Sequence, residues 1–156
     1  ISTEKIAALT FNTNFKVLPP LRTAEDRKAL LAGLQDGTID FVTSNHSPID
    51  IEFKNIEFDH AQYGSIGLES IFGALNSIFT TEHVVELLTQ KKNRFGLKPT
   101  SIIEGEQANI SLFDPEKVYQ FTKKDVMSTS KNSALLGSTL KGQALGVINN
   151  NQLILK

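Results

Sequence analysis

TNFKVLPPLRTAEDRKALLAGLQDGTIDFVTS, residues 13–44, is the stretch on which the reading of the fold turns. Phe15, Lys16 and Val17 form a short strand-like piece, stopped by Pro19 and Pro20, which lack backbone donors and fix φ. Thr23 then reads as a helix N-cap. Its hydroxyl can accept from the backbone N–H of Asp26, Glu25 and Asp26 suit the positive end of the helix dipole, and Leu30, Leu31 and Leu34 fall on one apolar stripe. Gly37 ends the helix. Ile39 to Thr43 is short, largely apolar and rich in β-branched residues, as expected of a buried parallel strand with helices packed outside it. Strand, helix and strand in that order is the grammar of an α/β fold.

Downstream of this unit the chain first loosens and then changes character. Residues 44–65 are irregular and hold two of the three histidines, and long loops after a strand in an α/β fold usually carry function. Ile71, Phe72, Leu75, Ile78 and Phe79 then repeat at helical spacing with a broad apolar face. Thr81 is expected to cap a shorter helix through Leu88, and Lys91 to Leu97 can add one more turn before Gly96 and Pro99 break it. Beyond Pro99, short strand candidates replace helices: Ala108–Phe113, Val118–Phe121, Gln143–Ile148 and Gln152–Leu155. They are separated by turn residues, notably Asp114-Pro115 and Asn149 to Asn151. A division near Gly96 results, with residues 1–96 as an α/β part and 97–156 as a small β domain or tail.

Composition narrows the function classes. With 156 residues, 40% of them hydrophobic, the chain can bury a core of ordinary domain size. The 16 basic and 17 acidic residues are interspersed and nearly cancel, so nothing marks a nucleic-acid or anionic-membrane partner. The absence of cysteine excludes disulfides and thiolate metal sites, so any metal here must use histidine, carboxylate or water. Ile1 to Thr10 lacks a basic region followed by an apolar run, and no apolar stretch approaches the roughly 20 residues needed to span a bilayer. These features read as a soluble, cytoplasmic protein.

Ser44-Asn45-His46-Ser47-Pro48 sits just past the carboxyl end of a strand, where a barrel places its chemistry. Taken alone, an Asn-His pair there reads more readily as a hydrogen-bonded loop histidine. His60 beside Asp59 reads as an exposed loop pair, and His83 in the first turn of a helix as a surface residue. The three histidines show neither H-x-H nor H-x-x-x-H spacing and do not make a metal site by themselves.

A more specific reading comes from the order of the motifs. Asn14-Phe15-Lys16-Val17-Leu18-Pro19-Pro20-Leu21-Arg22 followed by Glu25-Asp26-Arg27-Lys28-Ala29-Leu30 resembles the K-x-x-P-P-L/I-R segment and E-D-R-x-A-L helix of the dihydroorotases and of their allantoinase and hydantoinase relatives. Asp36-Gly37-Thr38-Ile39-Asp40 and then Thr43-Ser44-Asn45-His46-Ser47-Pro48 are similar to the family's G-T-I-D and T/S-D-H-x-P. Tyr63-Gly64-Ser65-Ile66-Gly67-Leu68-Glu69 resembles F-G-x-x-G-L-E, and Arg94-Phe95-Gly96-Leu97 resembles the passage from barrel to sandwich. Gln107-Ala108-Asn109-Ile110 stands where the family has D-A-D-L, ahead of Phe113-Asp114-Pro115. Lys131-Asn132-Ser133, Gly137 and Lys141-Gly142 resemble its closing S-K-N-T-P-F-x-G-x-x-L-K-G. The succession covers nearly the whole chain from Thr13. The asparagine of T-N-F-K and the G-L-E element lean toward dihydroorotase over the hydantoin enzymes.

The resemblance implies the last two βα units of a TIM-type (β/α)₈ barrel, then a small β-rich sandwich unit. It also implies zinc-dependent opening or closing of a cyclic amide, dihydroorotate or carbamoyl-aspartate, in pyrimidine biosynthesis. In the family, zinc lowers the pKa of bound water, and an aspartate after the eighth strand takes that water's proton. By position this aspartate falls on Asn45, whose amide cannot act as a general base. The asparagine that contacts substrate falls on Leu18 and a second histidine on Ile49, both now apolar, whereas Gly64 keeps its family identity. The H-x-H pair and the bridging metal residue belong to strands that would precede Ile1, so no metal ligand is expected within these residues. Ile1-Ser2-Thr3 resembles the residues just after the sixth-strand histidine, which makes the interval from Lys5 to Thr13 shorter than in the family. Impaired catalysis is therefore expected. Two partners stay open, aspartate transcarbamoylase and a second copy of the chain. The competing readings are an active dihydroorotase, a non-catalytic subunit that steadies the transcarbamoylase, and a hydantoinase- or allantoinase-type relative.

Overall fold

A computed structural model describes residues 10–97 and 101–156. The expectations for Ile1-Ser2-Thr3, for the interval from Lys5 as far as Leu9 and for Pro99 lie outside the described residues. Helix α1, Ala24–Gln35, begins as its sequence requires. The Thr23 hydroxyl accepts from the Asp26 amide, and the Asp26 carboxylate accepts in return from the Thr23 amide, each at 3.2 Å. This reciprocal capping box satisfies two donors that the first turn would otherwise leave unpaired. The Thr23 hydroxyl, donating to the Asp26 carboxylate at 2.9 Å, and after it the Thr23 amide hold the Asp26 carboxyl below its usual pKa. At the other end Asp36 is the C-cap, and Gly37 takes φ +79, a left-handed conformation open to glycine without steric cost.

Three features of this segment depart from the sequence pattern. No residue of α1 is buried, and Leu30 is 55% exposed. A leucine stripe specifies an amphipathic helix, but burial also requires an opposing surface. The strand expected at Phe15–Val17 is not assigned: Thr13–Phe15 is a 3₁₀ turn, capped by the Asn12 side chain, which accepts from the Asn14 amide. Residues 39–43 carry no assigned strand among the described residues, since a ladder is made by a neighbouring strand and not by propensity. Ile39 nevertheless closes onto α1: its amide donates to Gly33 O at 2.8 Å.

The chain packs into two compact units. One runs as far as Ile71 and takes in Phe121–Ser138; the other comprises Phe72–Gln120 and Thr139–Lys156. The first has Ala61, Ile66, Phe121 and Val126 as its buried apolar residues, together with the polar Lys16, Lys54, Ser70, Asn132 and Ser133.

The second unit contains helices α2, Ile71–Asn76 (from Phe72 onward), and α3, Thr81–Thr89, and an antiparallel sheet in the order β1-β2-β3. The apolar face expected through Phe79 is interrupted, because α2 ends at Asn76 and Ile78 is 42% exposed. The cap of α3 is Thr80, not Thr81; the Thr81 hydroxyl donates instead to Asn76 Oδ1 at 2.8 Å. A 3₁₀ turn, Gln90–Phe95, comes after α3.

β1, Ile110–Gln120, joins two strand candidates that Asp114-Pro115 had separated. The turn chemistry is present, with Asp114 Oδ1 accepting from the Glu116 and Lys117 amides at 2.9 and 3.2 Å. It produces a register shift between Asp114 and Val118, and β1 continues to pair with β2, Thr139–Asn149. β3, Gln152–Leu155, is reached through Asn150 and Asn151, both at positive φ, as a two-residue primed hairpin turn demands. The protein is thus α/β with a three-stranded antiparallel sheet.

Candidate functional site

The loop singled out by sequence lies within the first unit and is held there by a set of hydrogen bonds. Ser47 N donates to Ser65 O at 3.0 Å, and His46 forms an isolated parallel bridge with Ser65, so the loop lies alongside the Tyr63–Glu69 stretch. Asn132 fastens the two together. Its Oδ1 accepts from the Ile49 amide at 3.2 Å, its Nδ2 donates to Ser47 O and Gly64 O at 3.1 and 3.3 Å, and its own carbonyl accepts from Ile66 N at 3.0 Å. Asn132 is 5% exposed, so these four bonds satisfy groups that water does not reach. Ser130 adds a hydroxyl bond to Ile49 O, and Ser65 Oγ accepts from the Ala134 amide at 2.9 Å.

The four residues picked from sequence meet in two pairs. Asn45 is exposed and at φ +45, a left-handed conformation that asparagine tolerates better than most residues. Its Nδ2 donates to Leu18 O at 3.0 Å, while the Leu18 side chain remains 63% exposed. Ile49 and Gly64 form the second pair. At Gly64, φ +148, an added Cβ would lie 2.7 Å from Ser47 Oγ and 2.9 Å from Ile49 Cγ1, so only glycine fits between them. Gly64 is buried, and its amide donates to Lys16 O at 3.0 Å.

His46 is fully engaged. Nδ1 lies 3.2 Å from both Gly67 N and Leu68 N, and Nε2 lies 3.3 Å from Ser128 Oγ. Ser128 in turn donates to Glu69 Oε1 through its hydroxyl at 2.6 Å and its amide at 2.8 Å. Burial works against the Glu69 carboxylate, but the hydrogen bonds from Ser128, aided by a backbone amide, outweigh it and leave its pKa below the usual range. His60, paired loosely with Glu57 at 3.9 Å, is a surface residue, as its loop context suggested. His83 lies in the second unit, edge-on to Phe79 and near Glu86.

Sequence reasoning passed over two buried lysines that brace the same unit. Lys54 Nζ donates to Thr13 O and Lys16 O at 2.8 and 3.2 Å; Lys16 Nζ donates to Phe58 O and Asp59 O, each at 2.8 Å, and lies over the Phe58 and Tyr63 rings. Burial, and after it the Lys16 charge, lowers the Lys54 pKa to about 8. Lys54 also lines a cleft of about 690 Å³ with Asn14, Ile49, Ser130 and Asn132. Lys16 was visible only as a motif letter, and the role of Ser128 had no local signal.

The zinc implied by the motif order finds no fit in this loop. Among the described residues no three His, Asp or Glu side chains gather closely enough to hold a metal. Both ring nitrogens of His46 are occupied by protein groups, and Asn45 is neutral. No helix of the described chain is long and apolar enough to cross a membrane.

Comparison with known proteins gives one consistent answer. No family model matches the chain. A dihydroorotase of Caldicellulosiruptor saccharolyticus is 38% identical over 163 aligned positions, which take in 100% of this chain and 38% of that protein. The dihydroorotase of Bacillus subtilis is 37% identical over 88% of this chain and 34% of its own length. The chain therefore spans little more than a third of the relatives it matches. Among solved structures, the L-hydantoinase (dihydropyrimidinase) of Arthrobacter aurescens superposes with a TM-score of 0.83 at 22% identity, over 99% of this chain and 37% of that one. A D-hydantoinase from Thermus gives 0.70 at 22% identity. These superpositions establish a shared fold. Taken with the sequence identities, they show that the chain belongs to the dihydroorotase family and corresponds to the carboxy-terminal portion of its members.

Proposed function

We propose that this chain forms the closing part of a dihydroorotase-type protein that has kept the family's scaffold while losing hydrolysis of the cyclic amide. On this reading residues 1–96 contribute the last two βα units of a (β/α)₈ barrel and residues 97–156 its β-rich tail. The grouping of Phe121–Ser138 with the first compact unit then reflects packing across that division of the chain. The observation that carries the proposal is the direction of one hydrogen bond. Asn45 donates to a backbone carbonyl, Leu18 O, which can only accept. An aspartate here would set a carboxylate oxygen against that carbonyl, so the position is built for a donor where general-base chemistry needs an acceptor. The apolar Leu18 and Ile49, at positions that are polar in the family pattern, support the same reading.

The test is turnover of dihydroorotate and of carbamoyl-aspartate by the whole protein with zinc supplied, for the wild type and for Asn45→Asp. Neither is expected to turn over. Robust wild-type activity overturns the proposal, and substantial activity in Asn45→Asp alone shows that the remaining site is intact. The scaffold reading names aspartate transcarbamoylase as the partner. It expects the two to co-migrate on gel filtration, and independent elution counts against it. The hydantoinase-type reading rests on fold likeness alone, while the sequence identities favour dihydroorotase.

A further inference from the structure

The hydrogen bonds around His46 fix where its proton sits. Two backbone amides, Gly67 N and Leu68 N, approach Nδ1 at 3.2 Å. An amide N–H needs a lone pair to point at, so Nδ1 is unprotonated and the neutral ring carries its proton on Nε2. Nε2 therefore donates to Ser128 Oγ, 3.3 Å away, and the Ser128 proton is directed to Glu69 Oε1 at 2.6 Å. The Ser128 amide, donating to the same oxygen at 2.8 Å, holds the serine backbone in place.

We infer that Ser128 and Glu69 are positioning residues that hold His46 as the neutral Nε2–H tautomer, and through it lock the Asn45–His46 loop to the 67–69 turn and to the 121–138 segment. The same geometry excludes a tempting alternative. A nucleophilic serine passes its proton to the imidazole, whereas here the imidazole donates to the serine, so Ser128, His46 and Glu69 do not form a hydrolytic triad despite their composition. Glu69 Oε2 is buried and has no hydrogen-bond partner among the described residues, so the Ser128 hydroxyl and amide both reach the carboxylate at Oε1. The inference goes beyond the loss of hydrolysis, because it concerns the proton on His46 and not the fate of any substrate.

Nitrogen-15 NMR on the whole chain, labelled at histidine and held at about pH 8, where an ordinary imidazole is neutral, reads the tautomer directly. The His46 signals are identified as those missing from His46→Gln. A pyrrole-type Nε2 and a pyridine-type Nδ1 are expected in the wild type. Ser128→Ala is expected to speed solvent exchange of the Nε2 proton by about tenfold, the equivalent of one lost hydrogen bond. Ser128→Thr, which keeps the hydroxyl, is expected to restore slow exchange. A pyrrole-type Nδ1 or an imidazolium in the wild type overturns the inference without any variant having to fold. Unchanged exchange in Ser128→Ala does so as well.

Discussion

In the unit that holds the 44–48 loop, the buried set mixes Lys16, Lys54, Asn132 and Ser133 with Ala61, Ile66, Phe121 and Val126. In the sheet unit it is Leu75, Val84, Leu87 and Leu140, with Asn76 as the buried polar residue. The first unit is organised by directional bonds. Asn132 alone joins four backbone positions, and the two lysines tie the 13–16 turn to Lys54 and to the 58–59 loop. The second is organised by apolar surfaces, with Phe72 against Phe113 at 4.6 Å between ring centroids. Apolar packing tolerates exchange of similar volumes, but a buried network loses more when one member goes, because every former partner is left unsatisfied. A polar core therefore fixes loop positions tightly while remaining more vulnerable to single substitutions.

Deleting the hub should have the largest effect. Asn132→Ala strands two carbonyls and an amide in a buried site and is expected to cost about 3–5 kcal/mol in chemical denaturation. Leu140→Ala, in the sheet unit, should cost about 2–4 kcal/mol, and Leu140→Met under about 1.5 kcal/mol. If Asn132→Ala proves no worse than Leu140→Met, the contrast between the units fails.

Lys54 supplies a pH test of the polar unit. Its pKa is about 8 in the folded chain against an ordinary 10.5. Below pH 8 both folded and unfolded states carry the proton; from about 8 to 10.5 only the unfolded state does. Unfolding then takes up a proton, and this group's contribution to stability rises with pH across the window. With allowance for solvent screening, the full change amounts to about 2–3 kcal/mol. It should show as a steeper alkaline rise in wild type than in Lys54→Met, and parallel profiles would mean that the lysine is not desolvated.

The smallest effect is expected at the exposed position. Asn45→Asp loses one hydrogen bond and opposes two acceptors, for about 1–2 kcal/mol. A stabilised Asn45→Asp variant would show that the loop is not fitted to a donor.

The sequence made some of this legible because the relevant contacts are local. Thr23 and Asp26 are three residues apart, and Asn150 with Asn151 closes a two-residue turn, so residue type settles the geometry. Asp114-Pro115 has the local chemistry of a strand break for the same reason. The chain continued through it because pairing with β2 on either side outweighed the interruption. Asn45, Leu18, Ile49 and Gly64 could be singled out from the order of motifs, although their pairing could not. Ser128 meets His46 across 82 positions, and Asn132 reaches Ser47 across 85, distances over which no periodicity carries information.

By itself, then, the sequence determined the capped helix, the turn chemistry and the kinship with dihydroorotases. Only the tertiary structure decided that the Asn45 amide donates, that His46 is held by Ser128 and Glu69, and that two buried lysines donate to backbone carbonyls. The physical reason is that capping and turns are fixed by neighbours along the chain. The direction of a hydrogen bond and the desolvation of a charge depend on which distant groups the fold brings within about 3 Å.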